Sequence, residues 1–226
     1  MASSTPVPPS AAPVAGPAWA ALWLADLDEL PPGSECALPH DEQERALRFL
    51  RDVDRRRYLA CRAVLRALLV DQFGITFNQS FETGAHGKPR IPGLSRGSFS
   101  LSHSGRHALI GVSHTHEIGV DVEELRQMAD AQAIAQGQFS ARERLVVDEQ
   151  ADDDLASKAF FEVWTRKEAC LKALGTGFSI SAKEVDAGVP TLDSSVVRGP
   201  SNVGIRVASL WPAPDLAAAV AQIEER

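Results

Sequence analysis

The segment FFEVWTRKEACLKALGTGF, Phe160 to Phe178, constrains the fold more than any other stretch of this chain. At about 3.6 residues per turn, Phe160, Val163, Trp164, Leu171 and Leu174 share one arc, with Phe161 and Cys170 at its edges, which is the pattern of a helix facing a core. Three charges interrupt that arc: Lys167 near its middle, Glu168 between Trp164 and Phe161, and Lys172 just past the edge beside Phe161. A buried charge without a partner is costly, so the fold must supply partners for all three. Taken alone, Glu168 and Lys172 read as an i,i+4 surface pair worth about 0.3–0.5 kcal/mol, with Lys167 snorkelling outward. The alternative is a helix that lines a cleft.

The upstream strands favour the cleft. SFSLSH, Ser98 to His103, alternates with period two, placing Phe99, Leu101 and His103 on one face and Ser98, Ser100 and Ser102 on the other. Ser104-Gly105-Arg106 reads as a tight turn, HALIGV as the return strand, and Ser113 to Glu117 as a second turn into IGVDVE, so an antiparallel meander of three strands is expected. Its third strand buries Ile118, Val120 and Val122, which puts Gly119, Asp121 and Glu123 on the opposite face. Two carboxylates at i and i+2 lie about 7 Å apart along one face and repel unless solvated or neutralised. They can be a solvated acidic edge or ligands of a hard divalent cation, most naturally Mg²⁺ completing its shell with water and phosphate, with Glu168 as third carboxylate.

Elsewhere the chain reads as a helix–strand mixture. WAALWLADLD, Trp19 to Asp28, is a short apolar strand bounded by Pro31, Pro32 and Gly33. Helices follow from about Asp41 to Leu50 and from about Asp54 to Phe73, the second burying Tyr58, Cys61, Leu65 and Leu68 or Leu69 and ending at Gly74. Most of its arginines should be solvated, but Arg62 lies one residue from the stripe and can reach a ligand. SARE, Ser140 to Glu143, is a capping box that starts another helix. The Phe160 helix begins after Asp152-Asp153-Asp154 and stops at Gly175 and Gly177. Val203 to Ile223 is expected to close the fold as a pair of strands, although the alanines of Leu216 to Ile223 favour helix by propensity.

Composition removes several functions. The 226 residues are 44% hydrophobic and 23% charged, a soluble globular balance, without a run of about 18 apolar residues for a membrane span. The first 18 residues, rich in Pro, Ala and Ser, lack the marks of a secretory or transit signal and are expected to be a disordered tail. Cys36, Cys61 and Cys170 are odd in number and unclustered, as free thiols in a reducing cytoplasm would be. A net charge of −7 argues against bulk attraction to nucleic acid or anionic membrane, so an anionic ligand needs a local basic site. His114-Thr-His116 lacks further ligands at zinc spacing, and neither a Walker loop nor a GxGxxG fingerprint occurs.

GKPRIP from Gly87, FSLSHS from Phe99, IGVDVE from Ile118 and FFEVWTRKEACLKALGTG from Phe160 follow one another in an order and spacing that resemble the Sfp-type 4′-phosphopantetheinyl transferases. The resemblance covers Trp19 to the C-terminus. It implies an α+β pseudo-dimer of two similar α/β halves, 19–112 and 113–226, each a small mainly antiparallel sheet packed on helices, with the ligand cleft between them. It also implies a cytoplasmic, monomeric enzyme that transfers 4′-phosphopantetheine from coenzyme A to a serine of an apo acyl or peptidyl carrier protein.

The residue roles follow from the same resemblance. Asp121, Glu123 and Glu168 would hold Mg²⁺, for which Mn²⁺ can substitute, with Glu168 as base and Lys172 on the pyrophosphate. Coenzyme A would meet Ser102 and His103 at its phosphates, Lys88 at the nucleotide end and Arg45 at the 3′-phosphate; Lys167 would help hold phosphate or carboxylate, and Arg62, from its place beside the helix stripe, can reach the same ligand. Where relatives carry Lys and a phosphate-binding Thr, this chain carries Glu42 and Tyr58. Arg126, Met128, Phe139, Arg142 and Arg144 form a candidate basic and apolar docking patch for the acidic helix of a carrier. Two rival functions use the same residues: hydrolysis of the coenzyme A pyrophosphate, and non-catalytic binding of coenzyme A or carriers.

Overall fold

Two helices of 22 residues, α2 (Asp52–Phe73) and α5 (Asp153–Leu174), each cover one face of a four-stranded antiparallel sheet. The computed structural model describes residues 11–29, 38–84, 86–175, 181–190 and 194–224. The first sheet runs in the order β1 (Ala11–Pro13), β2 (Ala21–Asp26), β6 (His107–Ser113), β5 (Ser98–Ser104). The second runs β7 (Ile118–Glu124), β10 (Leu216–Ile223), β9 (Gly204–Ala213), β8 (Ser195–Arg198). A short pair, β3 (Glu82–Thr83) and β4 (Pro89–Arg90), flanks the GKP turn. The smaller helices are α1 (His40–Ala46), α3 (Ala131–Gln138) and α4 (Ala141–Asp148). The protein is a mixed α+β fold in two halves, as a pseudo-dimer requires.

The apolar alternation of the strands explains the layering. Val64, Leu65 and Leu69 of α2 pack on Phe99, Ile110 and Val112. On the far side of that sheet, Leu22 and Leu109 meet Ile118, Val120, Val122, Leu210 and Val220, so the two sheets share one core. The second sheet then turns its small residues, Ala219 and Ala221, to Ala169, Cys170 and Ala173 of α5. This close approach is why Leu216–Ile223 is a strand despite its alanines: small side chains let the helix sit down on the sheet, and tertiary packing overrides propensity. Gly119 serves the same contact, since a Cβ there would run into the Ala169 carbonyl oxygen and the Ala173 nitrogen. The α5 helix ends on Gly175, whose φ of 65° is the left-handed cap glycine takes without strain. The capping box of α4 is formed as expected, Glu143 N donating to Ser140 Oγ at 3.2 Å and Ser140 N to Glu143 Oε2 at 2.7 Å.

Several sequence expectations are corrected. β7 is not the third strand of a meander; it pairs with β10 in the second sheet. Its other edge is met by serine hydroxyls of β5 instead of backbone: Ser98, Ser100 and Ser104 Oγ accept from the N–H groups of Ile118 (2.8 Å), Val120 (3.0 Å) and Glu124 (3.1 Å). A buried N–H left without a partner costs about 1–3 kcal/mol, so this serine ladder fastens the halves together without merging their sheets. The Pro/Ala/Ser tail is not unstructured throughout, because Ala11–Pro13 pairs with β2; residues 1–10 lie outside the described residues. The first helix stops at Ala46, leaving Leu47 and Leu50 exposed. On α2, Tyr58 is only half-buried while Arg66 is 1% exposed, reversing the expected roles. Helix α3 was not foreseen. Cys61 and Cys170 are buried free thiols, each pushed up to about 12 by burial; Cys36, Pro31 to Gly33 and Gly177 lie outside the described residues. Among the described residues, no helix is long and apolar enough to cross a membrane.

Candidate active site

A cavity of 970 Å³ opens at the seam, walled by α2 through Arg62 and Leu65, by the His86 to Pro89 turn, by Ser100 to His103 of β5, by Asp121 and Glu123 of β7, and by Trp164, Glu168, Leu171 and Lys172 of α5. The i, i+2 spacing on β7 and the i, i+4 spacing on α5 bring three carboxylates and one ammonium to the same space, which the sequence pattern anticipated. The serine ladder changes its function here. Ser102, the one ladder hydroxyl not aimed at a β7 amide, donates to Asp121 Oδ1 at 2.7 Å. Lys172 Nζ donates to that same Oδ1 at 2.6 Å and to Ser102 Oγ at 2.9 Å. Ser104 Oγ donates to Glu123 Oε2 at 2.7 Å, and Arg126 Nη1 stands 3.6 Å from the same oxygen.

Electrostatically the site is loaded with negative charge that it does not fully neutralise. Burial pushes the Asp121 carboxyl up, against the opposing Lys172 charge and the bonds from Lys172 and Ser102. Burial raises Glu123, the Asp121 charge adding to it and Ser104 opposing it. Burial likewise raises Glu168, with Asp121 and Glu123 adding to the effect and Lys172 opposing it. Asp121 is 4% exposed, yet its Oδ2 has no hydrogen-bond partner. Hard oxygen donors, mutual repulsion and an orphaned carboxylate oxygen fit a small divalent cation. Among the described residues, however, no three such side chains are already gathered around one point, and Lys172 holds Asp121. The donor set suits Mg²⁺ in kind, and closing around the ion requires side-chain movement.

The other predicted residues divide. His103 stands at the cavity mouth, where partial desolvation and then the Lys172 charge hold its imidazole below the ordinary range. Lys88 lines the cavity but donates to Glu117 Oε2 at 2.7 Å and to the Ile118 carbonyl at 2.9 Å, with burial lowering its pKa. Arg62 lines the opposite wall, bonded to Glu42. Arg45 is exposed, 5.7 Å from the Tyr58 ring centroid, and does not line the cavity. Of its two expected partners, phosphate or carboxylate, Lys167 takes the carboxylate: it is 1% exposed and its ammonium is taken by Glu143 Oε2 at 3.0 Å and the carbonyls of Ala182 (2.7 Å) and Val185 (2.5 Å), which corrects the phosphate role. Phe139 is a second correction, being core at 1% exposure and stacked on Phe160, with ring centroids 5.3 Å apart. Arg126 and Arg142 are exposed, while Met128 and Arg144 are half-buried.

Sequence reasoning missed three participants. Ser104 continues the serine alternation by one step and could have been read from it. Glu143 showed itself only as a cap, although it also accepts from Ala187 N at 2.8 Å. Arg166, fully buried, donates to the Ala187 carbonyl, to Ser195 Oγ at 2.8 Å and to Ser209 Oγ at 3.2 Å; no local signal announces it.

Comparison with known proteins matches both parts of the chain. Residues 117–209 match the family model of the 4′-phosphopantetheinyl transferase superfamily, and residues 29–115 match that of the 4′-phosphopantetheinyl transferase N-terminal region. A putative 4′-phosphopantetheinyl transferase of Synechocystis sp. is 35% identical over 168 residues, 73% of this chain and 68% of the relative. The 4′-phosphopantetheinyl transferase HetI of Nostoc sp. is 35% identical over 189 residues, 80% of this chain and 78% of the relative. The 4′-phosphopantetheinyl transferase Sfp of Bacillus subtilis is 29% identical over 62% of this chain and 61% of its own length. With two halves matched in turn and most of its length shared with HetI, this chain belongs to the 4′-phosphopantetheinyl transferase superfamily of enzymes.

Proposed function

We propose that the protein transfers 4′-phosphopantetheine from coenzyme A to a serine hydroxyl of an apo acyl or peptidyl carrier protein, with Mg²⁺ or Mn²⁺, releasing adenosine 3′,5′-bisphosphate. It acts as a cytoplasmic monomer of two halves that divide near 112/113, with Ala11–Pro13 added to the first. The observation that carries the reading is the Lys172–Asp121–Ser102 contact beside Glu123 and Glu168, in a cavity formed by both halves.

Asp121, Glu123 and Glu168 would hold the cation, which would supply charge neutralisation for the pyrophosphate. The remaining chemistry belongs to side chains. Lys172, one turn beyond Glu168 on α5, binds the phosphate that leaves, while Ser102 and His103 orient the pyrophosphate. Trp164 and Leu171 keep water from the reacting phosphorus. Glu168, directly or through a water, takes the proton from the carrier serine Oγ as the Oγ–P bond forms and the bond to the nucleotide phosphate breaks.

The test is intact-mass analysis of several apo carriers after incubation with coenzyme A and Mg²⁺. A gain of one phosphopantetheine, lost in Asp121→Asn, is the expected outcome. Cleavage of coenzyme A with carriers left unmodified would indicate hydrolysis and overturn the proposal.

A further inference from the structure

The carboxylates of β7 belong to the second half, but hydroxyls of the first half set how they stand. Ser102 and Ser104 on β5 meet Asp121 and Glu123 on β7 at matching i, i+2 steps. Each donates to one carboxylate oxygen, Ser102 to Asp121 Oδ1 and Ser104 to Glu123 Oε2, both at 2.7 Å. A serine hydroxyl carries a single proton, so what its oxygen already accepts decides where that proton goes. Ser104 Oγ accepts from Glu124 N at 3.1 Å, which leaves its proton for the Glu123 carboxylate. At the far end of the ladder the same arrangement meets only backbone: Ser98 Oγ accepts from Ile118 N at 2.8 Å and donates to the His116 carbonyl at 3.1 Å.

The turn that follows Ser104 keeps it in place. Glu124 Oε1 accepts from Arg106 N at 3.1 Å and lies 2.9 Å from His107 Nδ1. Gly105, with φ at 53°, leaves room for that carboxylate, which a Cβ at this position would strike. Ser104, Arg106 and His107 therefore grip the end of β7 from the first half, and Ser104 cannot withdraw from Glu123 without opening the grip. Arg126 Nη1 stands 3.6 Å from the same Glu123 oxygen, but its side chain is exposed and the pair is screened, so it holds less firmly. A carboxylate with one oxygen fixed can present only the other. Resting on the functional reading above, in which Asp121, Glu123 and Glu168 would hold a divalent cation, we infer that Ser104 is a positioning residue. From the first half it fixes Glu123 Oε2, so that Oε1 is the oxygen offered to the cation and the cation affinity of the second half depends on the seam.

The experiment measures Mn²⁺ binding to the full chain with equimolar coenzyme A, from the electron paramagnetic resonance signal of the free ion, with a protein-free blank for ion held by coenzyme A itself. Ser104→Ala should weaken binding about 10–100-fold, the usual cost of losing a group that orients a metal ligand. Ser104→Thr keeps the hydroxyl and suits a strand, and should restore affinity to within about threefold of wild type. Ser98→Ala removes a rung that holds only backbone and should also stay within about threefold of wild type. If circular dichroism shows Ser104→Ala unfolded, Ser104→Cys decides in its place: the thiol fills the same space, is a poor donor and a poor ligand for a hard ion, and should show the same loss. Unchanged affinity in the folded variant, a Ser104→Thr as weak as Ser104→Ala, or an equal loss in Ser98→Ala overturns the inference and leaves the functional reading standing. Wild type that takes up no Mn²⁺ refutes the cation site of that reading, and this inference with it.

Discussion

Lys167 and Lys172 lie five residues apart on one helix and end in opposite situations. Lys167 is enclosed: one carboxylate and two carbonyls take its three donors, and nothing can be exchanged without loss. Lys172 is about one-third exposed and holds an aspartate whose second oxygen is left over. The difference teaches what a buried charge is for. Where every donor and acceptor is matched, the charge locks α5 to α4 and to the Ala182–Val185 segment. Where a carboxylate is crowded, raised in pKa and partly unmatched, the charge belongs to a site that something else completes.

The largest effect should come from breaking the lock. Lys167→Met leaves Glu143 buried and unpaired, and loss of one partner of a buried pair costs about 3–5 kcal/mol. Urea unfolding should show that loss, with turnover per folded molecule changed by no more than a few-fold. Lys172→Met should do the reverse. The Lys172 ammonium is about one-third exposed, so its pair with Asp121 is partly screened and stability should fall by less than in Lys167→Met. Transfer should meanwhile fall about 10²–10³-fold, as when a charge-stabilising donor is removed. Equal stability losses in the two variants would erase the distinction.

A subtler effect separates the site from the lock by pH. Glu168 has a raised pKa in the folded protein, so the folded state holds its proton more tightly than the unfolded state. Below the ordinary glutamate value of about 4.3 both states are protonated and the group is neutral to stability. As pH rises from there through the folded pKa, ionisation costs the folded state more, and stability falls. Glu168→Gln removes that fall: without divalent cation, its unfolding midpoint should exceed wild type at pH 7, the gap closing as pH drops toward 4. A midpoint below wild type at pH 7 would mean that Glu168 is a structural partner like Glu143.

The same contrast explains what the sequence could and could not disclose. Period-two alternation exposed β5 and the Asp121/Glu123 face, because strand geometry is local. The helical wheel placed Glu168 and Lys172 correctly for the same reason. It also put Lys167 on an inner face, but a wheel gives a direction and not a partner, and Glu143 comes from a separate helix 24 positions earlier. β7 was assigned to the wrong sheet because its backbone partner, β10, lies almost 100 residues downstream, while the nearby β5 binds it through hydroxyls that look like a solvent face. Glu42 appeared as a departure from the family pattern, but its bonds to Arg62 and Arg66 depend on how α1 meets α2.

The smallest effect concerns the carrier surface, and the structure narrows it. Phe139 is core and cannot meet a partner, whereas Arg126 and Arg142 are exposed and Arg144 half-exposed. Arg126 also stands beside Glu123 and over the Phe161 ring at 4.8 Å, which ties it to the site. In a chain of net charge −7, attraction for an acidic helix has to be local. Such attraction is screened over about 8 Å at physiological ionic strength, so carrier KM should rise with salt. Reversing Arg142 and Arg144 together should raise carrier KM a few-fold at low salt and flatten its salt dependence, with coenzyme A KM unchanged. The internal contacts of Lys167 and Lys172 cannot produce that pattern, since neither is a free surface charge. Parallel salt slopes in wild type and the double reversal would move the docking surface away from α4 and leave Arg126, the one member beside the carboxylates, as the next position to reverse.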